Sequence, residues 1–317
     1  MVQASRHVIV GAGPVGSATA VQLAEAGHEV VVVTRSGSGP AHPRITRVAA
    51  DAADAAGLAA LAEGAVALYN CANPRYHRWS QEWPPLAASL LAAAESSGAV
   101  LATVSNLYPY GPVDGAMTEQ TPLAATGAKA GVRRRMWLDA LAAHEAGRVR
   151  VTEVRGSDYV LASDQSLLGE RVLSRLVAGR TVQVLGSPDQ PHTFTSTRDV
   201  ARLLIAVAAD ERGWGRAWHV PSNAPRTQRE AVADYARLGG YAMPKVTSMP
   251  DAMLAVAGLF MPVVRELKET QYQRTAPYLL DSSAAQRVFG LEPEDWDGLL
   301  ARTLAEYLAS TGAKAAA

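Results

Sequence analysis

The chain has 317 residues, with 30 Lys plus Arg against 30 Asp plus Glu, so its net charge is zero and the balance does not point to a nucleic-acid binder. Its one cysteine, Cys71, excludes an internal disulfide and fits a reducing compartment, and no CxxC or HxxxH spacing offers a metal site, so no metal is expected. The length allows about two domains, or one large α/β domain with an appendage.

Taken in chain order, the apolar run at 8–10 predicts a strand. It enters the turn Gly11-Ala12-Gly13-Pro14-Val15-Gly16, and residues 17–26 then read as a helix closed by Gly27. In a strand–turn–helix unit of this kind, Gly11 permits the tight turn, Gly13 lets the backbone approach a pyrophosphate, and Gly16 lets the helix pack close to the strand. Pro14 suits the first helical turn, where its missing N–H costs nothing, and the unpaired N–H groups there, Val15 and Gly16 among them, face the phosphates. The alternative is a glycine turn that only packs a βα unit.

Further strands are predicted at 30–33, 48–50, 65–69, 100–104 and 149–154. Helices are predicted around 58–62 (capped by Asp54), at 84–97 before Gly98, and at 128–146 before Gly147. This alternation implies a Rossmann-type α/β fold, a doubly wound parallel sheet over residues 1–156. Beyond 156 the pattern weakens to helices at 167–178, 200–209, 228–238 and 296–308, with a mixed stretch at 253–272. Residues 157–317 therefore read mainly as a smaller, helix-rich substrate lobe, with segments at about 182–220 returning to the sheet domain. Ligands of such sheets sit outside the C-terminal strand ends. The longest apolar stretch, 253–264, is too short to span a bilayer and contains Gly258 and Pro262, so a soluble cytoplasmic protein is expected. The triplet Arg133-Arg134-Arg135 reads as a solvated helix face.

NAD sites usually carry an acidic residue about 20 positions after the glycine turn. No carboxylate occurs here between Glu29 and Asp51; the interval carries Arg35, Arg44 and Arg47, with Ser36 beside Arg35. A guanidinium fork and a hydroxyl suit a ribose 2′-phosphate, which points to NADP(H) over NAD(H). Arg35 as an ordinary surface residue is the alternative.

Together these features resemble the extended short-chain dehydrogenase/reductases, in their NAD-dependent epimerase/dehydratase-like branch. Asp51-Ala52 is similar to the family's adenine-side Asp, Tyr108-Pro109-Tyr110-Gly111-Pro112 to its "YG" segment, and Glu119-Gln120-Thr121-Pro122 to its "E-x-T-P". Val154-Arg155, Thr197-Arg198-Asp199-Val200-Ala201 and Asp281-Ser282-Ser283 with Val288-Phe289-Gly290 continue the series. The resemblance implies that the loop Asn70-Cys71-Ala72-Asn73-Pro74 lines the nicotinamide ribose. It also implies that Lys129 holds the ribose hydroxyls, unless it is a solvent-facing helix lysine. Many relatives dimerise through two helices, so a homodimer through 86–97 and 132–146 is expected.

Departures from the family pattern shape the chemistry. Val10 stands where a further glycine is usual. Asn106, preceded by Ser105, holds the position of the family's catalytic Ser/Thr, and Ala125 holds that of its Tyr, four residues before Lys129. Asn106 can bond a substrate oxygen but does not readily exchange a proton. Tyr108 occupies an offset that carries a catalytic acid in relatives; it is a candidate proton donor or an aromatic wall. Tyr76 and Trp79 give the loop after the fourth strand an aromatic lining suited to a small, largely apolar or aromatic metabolite; covering the sheet edge is the other possibility. The candidate pocket is Asn73, Tyr76, Trp79, Ser105 and Tyr108, with His77 and His192 as spare acid/base groups. Three readings follow: an NADP(H)-dependent oxidoreductase or epimerase, a redox-neutral isomerase, cyclase or dehydratase that retains its cofactor, and a non-catalytic NADP(H) sensor.

Overall fold

The computed structural model describes residues 4–250 and 268–312. Strands β1 (Arg6–Val10) and β2 (Glu29–Thr34) are buried along nearly their whole length, as valine-rich runs must be when both faces of a parallel sheet are covered. With β3 (Ile45–Ala49), β4 (Ala65–Asn70), β5 (Val100–Asn106), β6 (Val151–Gly156) and β7 (Arg216–His219) they form one parallel sheet in the order β7-β6-β5-β4-β1-β2-β3. The order reverses between β1 and β4, which opens a crevice at the C-terminal strand ends.

Helices cover both faces. α2 (Ala55–Ala62), α3 (Trp79–Ser97) and α4 (Ala128–Glu145) enclose Val31, Leu68, Trp83 and Leu101 on one side. On the other, α1 (Pro14–Glu25), α6 (Thr197–Ala209) and α9 (Ser283–Phe289) enclose Ile9, Leu23, Leu204 and Trp218. A separate core around Leu173, Tyr235 and Leu300 joins α5 (Glu170–Val177), α7 (Gln228–Gly239) and α10 (Trp296–Thr311) to the short parallel pair Val182–Val184 and Val246–Ser248. One-turn α8 (Tyr272–Thr275) stands nearby. The stretch 182–184 thus belongs to the second core, and the chain rejoins the sheet from α6 through β7 and again at α9.

Several boundaries differ from expectation. α3 begins at Trp79, five residues early, and carries Pro84 and Pro85 inside it. The carbonyls these prolines leave unbonded belong to Ser80 and Gln81, both exposed, so water can satisfy them. Asp54 stands at the N-cap of α2, yet its side chain makes no capping bond. β7, with sequence Arg-Ala-Trp-His, was not expected because it lacks an apolar run. The stretch 253–264, with Pro262, lies outside the described residues.

Candidate functional site

The glycine turn is built for close approach. Gly11 has φ +98°, and a Cβ there would lie 2.7 Å from the Cys71 carbonyl oxygen. Its N–H donates to Val33 O at 2.9 Å. A Cβ at Gly16 would overlap the Gly11 carbonyl oxygen, whereas one at Gly13 would meet nothing within 4 Å. Two glycines are therefore fixed by packing, and the third faces open space at the start of α1. Pro14 occupies the first turn, Val15 is buried behind it, and no side chain caps the helix. The residues present fit the pyrophosphate of a dinucleotide.

At the end of β2, Arg35 is exposed and enters no ion pair among the described residues. Beside it the Ser36 hydroxyl donates to Ser38 Oγ at 3.0 Å, and Thr34 Oγ1 donates to Ser38 O at 3.0 Å. Arg44 is engaged at the opposite end of the sheet, 2.8 Å from Glu29. Asp51, beyond β3, accepts the Ala53 N–H at 3.0 Å, and Ala52 packs on the core beneath.

Across the crevice, β4 ends in buried Asn70, whose Oδ1 accepts the Ala72 N–H at 3.3 Å. The Cys71 side chain packs toward α1, and burial pushes its thiol up to about 12, so it stays a neutral thiol. Asn73 is exposed, as is His77. Trp79 does not line a pocket: it is 3% exposed, donates to Pro74 O at 3.1 Å and stacks under Tyr108 at 6.0 Å. Its role is to back the Tyr108 ring. Tyr76 meets Trp79 edge-on at 5.2 Å. Lys129 is buried in the first turn of α4, with Nζ 4.4 Å from the Tyr76 ring centroid and its N–H donating to Glu269 Oε1 at 2.8 Å. It is not a solvent-facing lysine. Ser105 Oγ is buried without a hydrogen-bond partner among the described residues.

Asn106 is already engaged, its Oδ1 accepting the Tyr108 N–H at 3.1 Å. Burial, then the neighbouring Tyr76 and Asp158, raise the Tyr108 phenol well above its ordinary value. Ala125 packs near Gly111, where a Cβ on the glycine would come within 3.2 Å of the alanine methyl. The basic triplet is not a solvated face. Arg133 is buried, with its guanidinium 4.7 Å and 4.4 Å from the Trp79 and Trp83 rings and Nη1 donating to Val104 O at 3.3 Å. Arg134 donates to Leu123 O at 3.2 Å, and only Arg135 is exposed. The two indole faces allow the guanidinium to be buried without a carboxylate in contact.

A buried polar chain fixes the turn that carries Tyr108. Arg155 donates to Glu153 Oε1 and to the Tyr110 hydroxyl, each at 2.7 Å. That hydroxyl lies 2.8 Å from His219 Nε2, and His219 Nδ1 lies 2.9 Å from Asp281 O. Glu119 Oε1 accepts the His219 N–H at 3.1 Å. Two residues past β6, Asp158 and Tyr159 pair in parallel with Phe194 and Thr195. Asp158 Oδ2 is 2.8 Å from His192 Nε2, so His192, a minor candidate in the sequence, stands at the site with a carboxylate that sequence reasoning missed. Tyr159 and Tyr278 were missed as well; burial raises both phenols, and Asp158 adds to the effect on each. The only sequence signal for Asp158 is its place just after the strand that carries Val154-Arg155.

The model of the NAD dependent epimerase/dehydratase family matches residues 7–220. No curated protein matches the chain. Among solved structures, the double mutant of the dTDP-glucose 4,6-dehydratase DesIV from Streptomyces venezuelae, with NAD and DAU bound, is 22% identical. It covers 96% of this chain and 97% of its own, with a TM-score of 0.75. The UDP-glucose 4-epimerase of Thermotoga maritima, with UDP-glucose, is 16% identical over 96% and 99%, TM-score 0.77. The UDP-N-acetylglucosamine 4-epimerase of Methanobrevibacter ruminantium M1, in complex with UDP-N-acetylmuramic acid, is 14% identical over 97% and 99%, TM-score 0.80. At these identities the likeness is one of fold.

Proposed function

The chain belongs to the NAD dependent epimerase/dehydratase family, and from that premise we propose an NADP(H)-dependent oxidoreductase or epimerase acting on a small, largely apolar or aromatic metabolite. The observation behind this reading is the aromatic cluster at the C-terminal ends of β4 and β5, where Tyr76 meets Trp79 edge-on and Trp79 stacks under Tyr108, with Tyr278 packed on His192 beyond them. Aromatic walls favour a planar or apolar ligand. Arg35 and Ser36 at the end of β2 are the reason to favour a 2′-phosphate, since a guanidinium pairs with phosphate oxygens and a hydroxyl adds a donor.

A bound nicotinamide supplies hydride chemistry at this edge. Gly11, Gly13, Pro14, Val15 and Gly16 seat the pyrophosphate, Asp51 and Ala52 lie on the adenine side, and Cys71, Ala72 and Lys129 border the nicotinamide ribose. Tyr108 is kept neutral by its burial, so its phenol donates a hydrogen bond or a proton to a substrate oxygen and does not serve as a resting base. Asn106 offers its amide N–H groups at the same edge. The site lacks the family's Ser–Tyr pair, with Asn106 and Ala125 in its place. Two copies joined through α3 and α4 would cover the apolar groove between Ala88, Leu91, Val132 and Met136; a protein that sediments as a monomer excludes that arrangement.

The test is nicotinamide absorbance with NADP+ and a panel of benzylic and alicyclic secondary alcohols, or with NADPH and the matching ketones. Net cofactor turnover supports the reading, and Tyr108→Phe should cost about a hundredfold in rate. Product formed without net cofactor change would favour the redox-neutral enzyme, and tight NADPH binding with no product across the panel would favour a sensor.

A further inference from the structure

Asp158 and His192 meet at the sheet edge from segments 34 residues apart. The His192 ring is fixed on every side. Nε2 faces Asp158 Oδ2 at 2.8 Å, Nδ1 faces Gln273 O at 3.1 Å, and the ring packs against Phe194 and Tyr278 at 4.7 Å and 5.2 Å. Its backbone bridges Arg226 and Tyr278. Both ring nitrogens are engaged by oxygen atoms, which fixes the orientation of the ring toward Asp158. The Asp158 side chain is one-third exposed, and its Oδ1 accepts from no protein donor among the described residues.

Among the described residues, the titratable groups coupled to Asp158 are cations or phenols. His192 lies on one side, Arg274 comes from α8, Tyr108 from the turn after β5, Tyr278 from the chain beyond α8, and Tyr159 from its own short strand. Burial alone would raise the Asp158 carboxyl, but the His192 bond and charge, with Arg274, bring it below its ordinary value. The phenols of Tyr108, Tyr159 and Tyr278 are all pushed up and remain protonated.

We propose that Asp158 is the proton acceptor of this site, with Oδ1 taking the proton of a substrate hydroxyl and His192 acting as the residue that positions it. The substrate O–H bond breaks, an Oδ1–H bond forms, and the bonding pair stays on the substrate oxygen. Tyr108 stabilises that oxygen by donating to it. The assignment rests on the alcohol-handling reading above.

The experiment uses the full chain loaded with NADP+, with α-methylbenzyl alcohol and its hydroxyl-free analogue ethylbenzene as probes. Binding is followed by ligand-observed NMR, and aspartate labelled at the carboxyl carbon reports Asp158, assigned through Asp158→Asn. The wild type should bind the alcohol at least about tenfold more tightly than ethylbenzene. Asp158→Asn should remove that preference while NADPH affinity and melting temperature hold. The Asp158 resonance should titrate below ordinary aspartate in the wild type and move up in His192→Gln, and the preference for the alcohol over ethylbenzene should fall in the same variant, which a His192 that only packs the fold would not cause. An unchanged preference in Asp158→Asn, or a carboxyl protonated near neutral pH, overturns the proposal. A wild type that binds neither probe refutes the aromatic-substrate reading instead, and Asp158 is then judged by its resonance alone.

Discussion

Glycines 13 and 16 stand one helical turn apart, and the same substitution should have opposite effects at each. At Gly13 the backbone is extended, φ −68° and ψ −174°, which alanine adopts without strain, and the new Cβ points into empty space. Losing glycine at an N-cap costs about 0.5–1 kcal/mol, and restricting the unfolded chain returns about 0.4–1, so Gly13→Ala should fold with nearly unchanged stability. The methyl then occupies the space a pyrophosphate needs. Losing one or two charge-assisted hydrogen bonds, at about 1.5–3 kcal/mol each, should weaken NADPH by about ten- to ten-thousandfold. At Gly16 the Cβ would overlap the Gly11 carbonyl oxygen and approach Cys71 Cβ at 3.1 Å, so strand and helix must separate. Overpacking of this kind costs about 1–3 kcal/mol or more, a fall of several degrees in melting temperature. Fluorescence titration with NADPH and urea unfolding separate the two signatures. A Gly13→Ala protein that keeps full affinity for NADPH would refute the placement of the pyrophosphate.

Replacing Arg35 with Asp should cost NADPH affinity about ten- to a hundredfold while leaving NADH little changed, measured by the same titration; equal affinities for the two cofactors in the wild type would remove the 2′-phosphate assignment. Acid stability should depend on His7, which is 7% exposed beside the Ser5 and Tyr69 hydroxyls at 2.9 and 3.2 Å. Burial, then His28, hold its pKa at about 4 against an ordinary 6.5. The unfolded chain therefore takes up the proton first, and the stability present above pH 6.5 is lost as the pH falls toward 4. After a discount for residual solvent contact the loss is about 1–3 kcal/mol; urea midpoints in His7→Gln should fall less steeply over that range, and parallel profiles would contradict the assignment. Arg133→Met should change stability by no more than about 1 kcal/mol, because burial already draws the guanidinium down to about 10 and the indole contacts only offset that cost. A loss above about 3 kcal/mol on thermal unfolding would show that the charge is needed for folding.

The sheet was legible because its signals are local. A valine run, a glycine turn and a gap of helical length recur along the first half, and each can be read without knowing what lies beside it. β7 was hidden because Arg-Ala-Trp-His acquires strand character only by pairing with β6. The start of α3 was hidden behind Pro84 and Pro85, whose ordinary meaning is a boundary. Arg133 was misread for a related reason: whether an arginine is solvated depends on what packs over it, and here that is two tryptophans from α3. The cofactor side of the candidate site can be proposed from contiguous residues, because the glycine turn and the end of β2 are local signals. The opposite side is assembled from Asp158, His192 and Tyr278, which no spacing rule links.

The chain from Glu153 through Arg155 and Tyr110 to His219 has a mechanical consequence. It anchors the Tyr108 turn to two strands and, through Glu119 and Asp281, to two further loops. The turn is therefore tethered at several points at once, so that a change at Arg155, Tyr110 or His219 is felt by the others and by the position of Tyr108.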